Sequence, residues 1–259
     1  MTIRFDAELG RALLPADQLD ALISASARAD WHAPALTELH PSGMVTPDGP
    51  HDSIAAALRV VTEPLCRVRF VERGSESVKP TCVAEAWLGI PSTALRVRRD
   101  GEQDEFAAIR TAYLPDELAD LVSLRPRPRT PQLPFEVSAV CFADLLSTSP
   151  ALHADAARHL MSAVEDGEVG KALQSVSGRL RRWWTVLVGW RQEGRITASQ
   201  RLTVLDTEDG LWLALPSEDL IAVLPASSGD IWRVLTMLMV EPDPSTADST
   251  RTTRWVGRE

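Results

Sequence analysis

The spacing of apolar residues changes along the chain from a helical period to a strand period. In residues 15–28 apolar side chains recur every three or four positions, as on one face of a helix, and residues 52–62 repeat this pattern. After Pro64, apolar and charged residues alternate over residues 65–74, which is typical of a strand with one buried face. Two amphipathic helices are therefore expected before the first long strand.

The second half of the chain repeats this order of elements. Strand-like runs continue after residue 80 and end in a helical pattern over 115–124, and helical signals return between 135 and about 180. Four more strand-like runs then lead into an apolar helix that begins near Ser227. The pattern predicts an α+β fold with two quasi-repeated halves, which share a central, largely antiparallel sheet with helical bundles packed on it.

Proline-rich and polar segments suggest where these halves divide. Residues 125–134 are rich in proline and arginine and have no periodicity, as expected of an extended linker. We therefore predict an N-terminal α+β half over 1–124 and a C-terminal half over 135–240. The polar, aperiodic segment 241–259 is expected to be a disordered tail.

Composition narrows the classes of partner. The formal net charge is −9, with 36 acidic and 27 basic residues, which disfavours a nucleic-acid binder because phosphates must be neutralised by cations. Charged residues interrupt the N-terminus at Asp6, Glu8 and Arg11, and no run is long and apolar enough for a membrane span. We expect a cytoplasmic protein that binds neither nucleic acid nor membrane.

The sequence predicts no catalytic residue, metal site or cofactor. The chain has no H-E-x-x-H or G-x-S-x-G motif and no glycine-rich dinucleotide loop. His153 and His159 are six residues apart, so on a helix they point in different directions and cannot bind one metal ion; both are expected at the surface. Cys66, Cys82 and Cys141 are widely spaced among apolar neighbours and are expected to be small buried side chains.

The run "RRWWTVLVGWRQEG" over 181–194 contains three tryptophans, and its alternation separates them. Trp184 and Trp190 share one face, which we expect to be the core, whereas the neighbouring Trp183 points to the opposite face. That opposite face also carries Thr/Ser/Arg side chains. We predict a partner-binding surface there, because tryptophan and arginine are enriched in binding hot spots. Its candidate residues are Trp183, Leu187, Arg191, Arg201 and Trp212.

Two other arrangements of these faces are open. Helices from 135–180 could cover the second face, which would make Trp183 and Trp212 ordinary core residues. In the first half, a basic stripe of outward arginines is expected, either as a solvated strand surface or as part of a binding surface. Its members are Arg67, Arg69, Arg96, Arg98 and Arg110.

The order of features resembles the EspG family of cytosolic chaperones of actinobacterial type VII (ESX) secretion. The resemblance covers about residues 10 to 240 and rests on layout and loose patterns. It is carried by Gly43, the Asp48-Gly49 turn and Pro64 within residues 35–70, and by the runs "LTVLDTEDGLWLALP" and "LIAVLPASSGDIWRVLTML". It implies a quasi-two-fold α+β fold that binds PE-PPE heterodimers at the apolar tip of the PPE partner. Such a chaperone keeps its substrate soluble and delivers it to a secretion system without chemistry.

Two alternative functions remain at this point. Tyr113 and Glu117 match the spacing of the Y-x-x-x-D/E export signal, so the protein could itself be a secreted type VII substrate, although this tyrosine ends a strand in mid-chain. A hydrolase or transferase with a non-standard site would instead require a deep pocket with convergent, pKa-perturbed residues.

Overall fold

The protein is a mixed α+β structure, given by a computed structural model. The structure describes residues 3–75, 77, 79–99, 103–147, 149–162, 167–192, 195–217 and 220–240. The helices are α1 (Ala16–Arg28), α2 (Asp52–Thr62), α3 (Leu114–Leu121), α4 (Ala139–Leu145), α5 (Pro150–Ser162), α6 (Gly167–Gly178) and α7 (Ser228–Leu238). The predicted tail, 241–259, lies outside the described residues.

The strands come in groups between these helices. They are β1 (Arg4–Asp6), β2 (Arg11–Pro15), β3 (Val45–Thr46), β4 (Gly49–Pro50), β5 (Cys66–Gly74), β6 (Cys82–Leu88), β7 (Ser92–Arg99), β8 (Gln103–Arg110), β9 (Phe135–Ser138), β10 (Leu180–Gln192), β11 (Arg195–Thr207), β12 (Leu211–Ser217) and β13 (Leu220–Ala226). Among the described residues, an 11-stranded sheet has the order β1-β2-β8-β7-β6-β5-β10-β11-β12-β13-β9. The hairpins β6–β7, β7–β8, β11–β12 and β12–β13 are antiparallel. The predicted α+β class with a large antiparallel sheet is confirmed.

The chain forms two compact units with bounds that differ from the predicted halves. The first unit contains residues 1–70, 82–118 and 188–199, and the second contains 71–81, 119–187 and 200–259. Strands β5 and β10 therefore contribute residues to both units. The proline-rich segment 125–134, predicted as a linker between halves, belongs entirely to the second unit.

Residues 125–134 contain no helix or strand, as predicted, but this segment is anchored. The backbone N–H of Arg127 donates to the Ser228 hydroxyl at 3.0 Å, and the Ser228 N–H donates back to the Arg127 carbonyl at 3.3 Å. Arg129 adds an ion pair with Asp230 at 3.1 Å. These bonds hold the segment against the start of α7, so it is not a free linker.

In the first unit, α1 and α2 bury their apolar faces on the sheet. Leu19 and Leu22 of α1 and Ile54 and Leu58 of α2 are fully buried in a cluster that also contains Phe106 of β8. Helical periodicity predicted these positions, because side chains three or four residues apart share a face.

In the second unit, helices α4, α5 and α6 pack over strands β9, β11, β12 and β13. The cluster joins Phe142, Leu160 and Val176 of the helices to Trp212 and Leu205 of the sheet. Within the described ranges, no helix is long and apolar enough to cross a membrane.

Candidate partner-binding surface

Strand β10 alternates between a covered and a less covered face. Trp184, Val186, Val188 and Trp190 are buried, which confirms the prediction that Trp184 and Trp190 point into the core. Trp183 and Thr185 on the other face are partly exposed, and Leu187 is 43% exposed. The pleat of an extended strand sends adjacent side chains in opposite directions, so the two neighbouring tryptophans separate.

Trp212 does not lie on an open surface. Its side chain is 0% exposed and packs in the cluster under α4, α5 and α6, with its ring centroid 6.0 Å from that of Phe135. The prediction that Trp212 is available to a partner is therefore wrong. The alternative, that helices from 135–180 cover this part of the face, is confirmed for Trp212. The physical reason is that packing an exposed tryptophan under the chain's own helices is more favourable than leaving it in water.

Trp183 lies at the edge of this helical cover. It packs against the same cluster but remains partly exposed, and the Arg73 guanidinium carbon lies 5.9 Å from the centroid of its ring. At this distance a cation interacts favourably with the π face of the indole. Arg73 was missed in the sequence, although it falls on the same alternation as the outward Arg67 and Arg69 of the predicted strand.

Beyond the cover, the same face of the second unit stays open. The Thr185 and Thr203 hydroxyls are 3.1 Å apart, so β10 and β11 place these side chains next to each other. Two positions further along each strand, Leu187 and Arg201 lie on that face, and both are exposed. We define the β10–β11 surface as Trp183, Thr185, Leu187 and Arg201.

Arg191, the remaining candidate, belongs to the first unit. It is exposed, and its backbone N–H donates to the carbonyl of Leu65 at 2.9 Å. In that unit it lies with Leu65 and the two exposed arginines of β5, Arg67 and Arg69.

The predicted basic stripe of the first half is divided by ion pairing. Arg96 and Arg98 both bind the carboxylate of Asp104, which is 1% exposed, and Arg96 also binds Asp20 at 2.8 Å. Burial by itself would raise the pKa of Asp104, but its hydrogen bonds with Arg98 and Arg96 outweigh burial and lower that pKa. These two arginines are therefore structural.

The cysteine and histidine side chains singled out in the sequence have structural surroundings in the described part of the chain. Burial raises the pKa of the Cys66 thiol to about 12, so this thiol stays protonated near neutral pH. His153 is partly buried rather than at the surface, and its ring nitrogens lie 2.6 and 3.0 Å from the carbonyl oxygens of Leu145 and Ser177. No group of three or more His, Cys, Asp or Glu side chains among these residues could hold a metal ion.

Comparison with known proteins gives the family. The model of the EspG family matches residues 3–236. The chain belongs to the EspG family. No curated protein shows a significant sequence match to it. Among solved structures, this EspG-family chain is similar to the type VII secretion system chaperone EspG5 of Mycobacterium tuberculosis, determined in complex with a PE25-PPE41 dimer. The TM-score is 0.61 at 12% identity, over 88% of this chain and 95% of EspG5, so the two proteins share a fold.

Proposed function

We propose that this protein is a type VII secretion chaperone that binds PE-PPE-type heterodimers in the cytosol, keeps them soluble and delivers them for export. The observation that carries this proposal is membership of the EspG family over nearly the whole described chain. The fold shared with EspG5, which was solved with a PE25-PPE41 dimer, supports the same partner class.

The β10–β11 surface is the part of the second unit that we propose contacts the substrate. An aliphatic side chain, Leu187, lies next to the cation Arg201 and on the same face as the partly exposed indole of Trp183, whose ring the Arg73 guanidinium approaches. Fully burying a leucine contributes about 1.5 to 3 kcal/mol, and arginine and tryptophan are common in binding hot spots. Such a surface suits the apolar tip of a PPE protein better than a small ligand, which needs a concave pocket.

The proposed activity is binding alone, without catalysis. The Cys66 thiol has its pKa raised by burial, and the carboxylate of Asp104 is engaged by two arginines. Neither group is free to act as a nucleophile or a general base. We propose neither a cofactor nor a metal ion, since no group of three or more His, Cys, Asp or Glu side chains among the described residues could hold an ion.

Co-expression with PE-PPE pairs encoded near this gene tests the proposal. We expect a soluble 1:1:1 complex by size-exclusion chromatography with light scattering. Leu187→Asp should weaken binding at least about tenfold, because a carboxylate would be buried against an apolar tip. The matched control is Leu220→Asp, since Leu220 is a similarly exposed leucine of the same unit, at 40% against 43%.

The outcomes separate the function from the surface. Failure of every neighbouring pair to form a complex with the wild-type protein would overturn the chaperone proposal. If a complex forms and Leu187→Asp binds as tightly as Leu220→Asp, the chaperone function stands and the β10–β11 surface is not the contact.

A further inference from the structure

The first unit has an exposed surface that is both basic and apolar. Leu65 is 49% exposed, and Arg67, Arg69 and Arg191 are exposed around it. We call these four residues the Leu65 surface. All four belong to the first unit.

Backbone pairing holds this surface in one place. The Leu65 N–H donates to the Leu88 carbonyl at 2.8 Å, and its carbonyl accepts from the Arg191 N–H at 2.9 Å. The backbone of Leu65 is thus hydrogen-bonded on both sides. Because side chains two residues apart on a strand share a face, Arg67 and Arg69 lie on the same face as Leu65. The intervening residues Cys66, Val68 and Phe70 are buried and anchor the strand from the other side.

The arginines of this surface differ from three ion-paired arginines of the same unit. Arg11 binds Glu105 and Glu117, and Arg96 and Arg98 bind Asp104. By contrast, within the described ranges Arg67, Arg69 and Arg191 form no ion pair.

These three arginines stand in a chain that is rich in carboxylates. The chain has 36 acidic residues and a net charge of −9, yet none of these carboxylates pairs with the three guanidinium groups in the described structure.

We infer that the Leu65 surface binds an acidic segment of the substrate heterodimer, in which carboxylates flank an apolar side chain. This inference rests on the proposed function and adds a charge requirement to it. Guanidinium groups bind carboxylates through paired hydrogen bonds, and the exposed leucine offers an apolar contact beside them. A polyphosphate would match the arginines but would leave Leu65 without an apolar contact.

A double charge reversal, Arg67→Glu with Arg69→Glu, tests this inference on the full-length protein. The matched control is Arg28→Glu with Arg59→Glu, which makes the same change in net charge at exposed arginines of α1 and α2 in the same unit. The affinity for a PE-PPE heterodimer that binds the wild type is measured at about 50 and 500 mM salt. We expect the Kd of the β5 variant to rise at least about tenfold at low salt, through a slower association rate, and the difference to shrink at high salt. The control should change by less than about twofold.

If the β5 variant does not fold, as judged by its melting transition, Arg67→Ala with Arg69→Ala replaces it, with an expected loss of about fivefold. Absence of binding by the wild type to every pair refutes the proposed function itself. Binding by the wild type that both double variants retain equally overturns the inference alone.

Three further measurements identify a different occupant. These are binding of duplex DNA, binding of phosphatidylserine-containing vesicles, and self-association by light scattering. If Arg67→Glu with Arg69→Glu abolishes one of these and leaves PE-PPE affinity at the control level, the surface serves that occupant and the inference is wrong.

Discussion

Arginine side chains have two separate roles in this protein, and the difference lies in their partners. Arg96, Arg98 and Arg182 bind buried carboxylates, whereas Arg67 and Arg201 are exposed without an ion pair among the described residues. A buried carboxylate is costly unless cations and hydrogen bonds compensate it. The first group therefore stabilises the fold, and the second is the group that we propose contacts a partner.

Asp104 provides a pH-dependent test of the stabilising role. Asp104→Asn should lower the free energy of unfolding by about 3 kcal/mol at pH 7, because Arg96 and Arg98 lose their anionic partner. Although burial opposes it, pairing with these arginines keeps the pKa of Asp104 below its ordinary value in the folded state. A carboxylate with a depressed folded-state pKa stabilises the folded protein at pH values above its unfolded pKa of about 3.9. This stabilisation is lost as the pH falls through the folded-state pKa.

Urea unfolding of the wild type and Asp104→Asn at pH 7, 5, 4 and 3 checks this. The difference in the free energy of unfolding between the two proteins should be constant from pH 7 to 5 and should become smaller below about pH 4. A difference at pH 3 equal to that at pH 7 would contradict the assigned role of Asp104.

At the scale of elements, periodicity predicted the long helices and strands but not the short strands. The residues of β1 and β2 carry too few alternating positions to be recognised, and Phe135–Ser138 was included in a helical stretch. In the structure Phe135–Ser138 is strand β9, which pairs with β13 from Leu220 to Val223. Short strands depend on such long-range pairing more than on local pattern, so their sequences contain little signal.

The helical cover of the second unit predicts stability losses of different size for two residues of one sheet face. Trp212→Ala should lower the free energy of unfolding by about 3 to 5 kcal/mol, because it leaves a cavity under α4, α5 and α6. Leu187→Ala should cost less than about 1 kcal/mol, since that side chain is already 43% exposed. Chemical denaturation of both variants measures these free energies of unfolding. Similar losses for the two variants would show that the helices do not bury Trp212 more than Leu187.

At the scale of the whole molecule, each compact unit is assembled from segments that are distant in the chain. In the second unit, Arg182 donates to Asp206 at 3.0 Å, to Glu72 at 2.8 Å and to the Val122 carbonyl at 2.6 Å. Arg127 also binds Asp206, at 2.7 Å. One guanidinium therefore joins segments that lie more than 100 residues apart in sequence.

Replacement of this guanidinium tests how much it stabilises the second unit. Arg182→Met should lower the free energy of unfolding by about 3 to 5 kcal/mol. The substitution removes the ion pairs of Arg182 with Glu72 and with Asp206, and among the described residues Asp206 then retains its ion pair with Arg127. The control is Arg181→Met, at the exposed neighbouring position, which should cost less than about 0.5 kcal/mol. Equal unfolding midpoints for the two variants would show that Arg182 has no such role.

The sequence by itself determined the α+β class, the order of the long elements and the opposite directions of Trp183 and Trp184. These follow from local rules, because the period of apolar residues depends only on backbone geometry. Only the tertiary structure decided that Trp212 is covered, that Leu187 and Arg201 stay open, and that Arg96 and Arg98 are paired while Arg67 and Arg69 are exposed without an ion pair. Alternation tells which side chains share a face, but what covers that face depends on where distant helices and carboxylates pack.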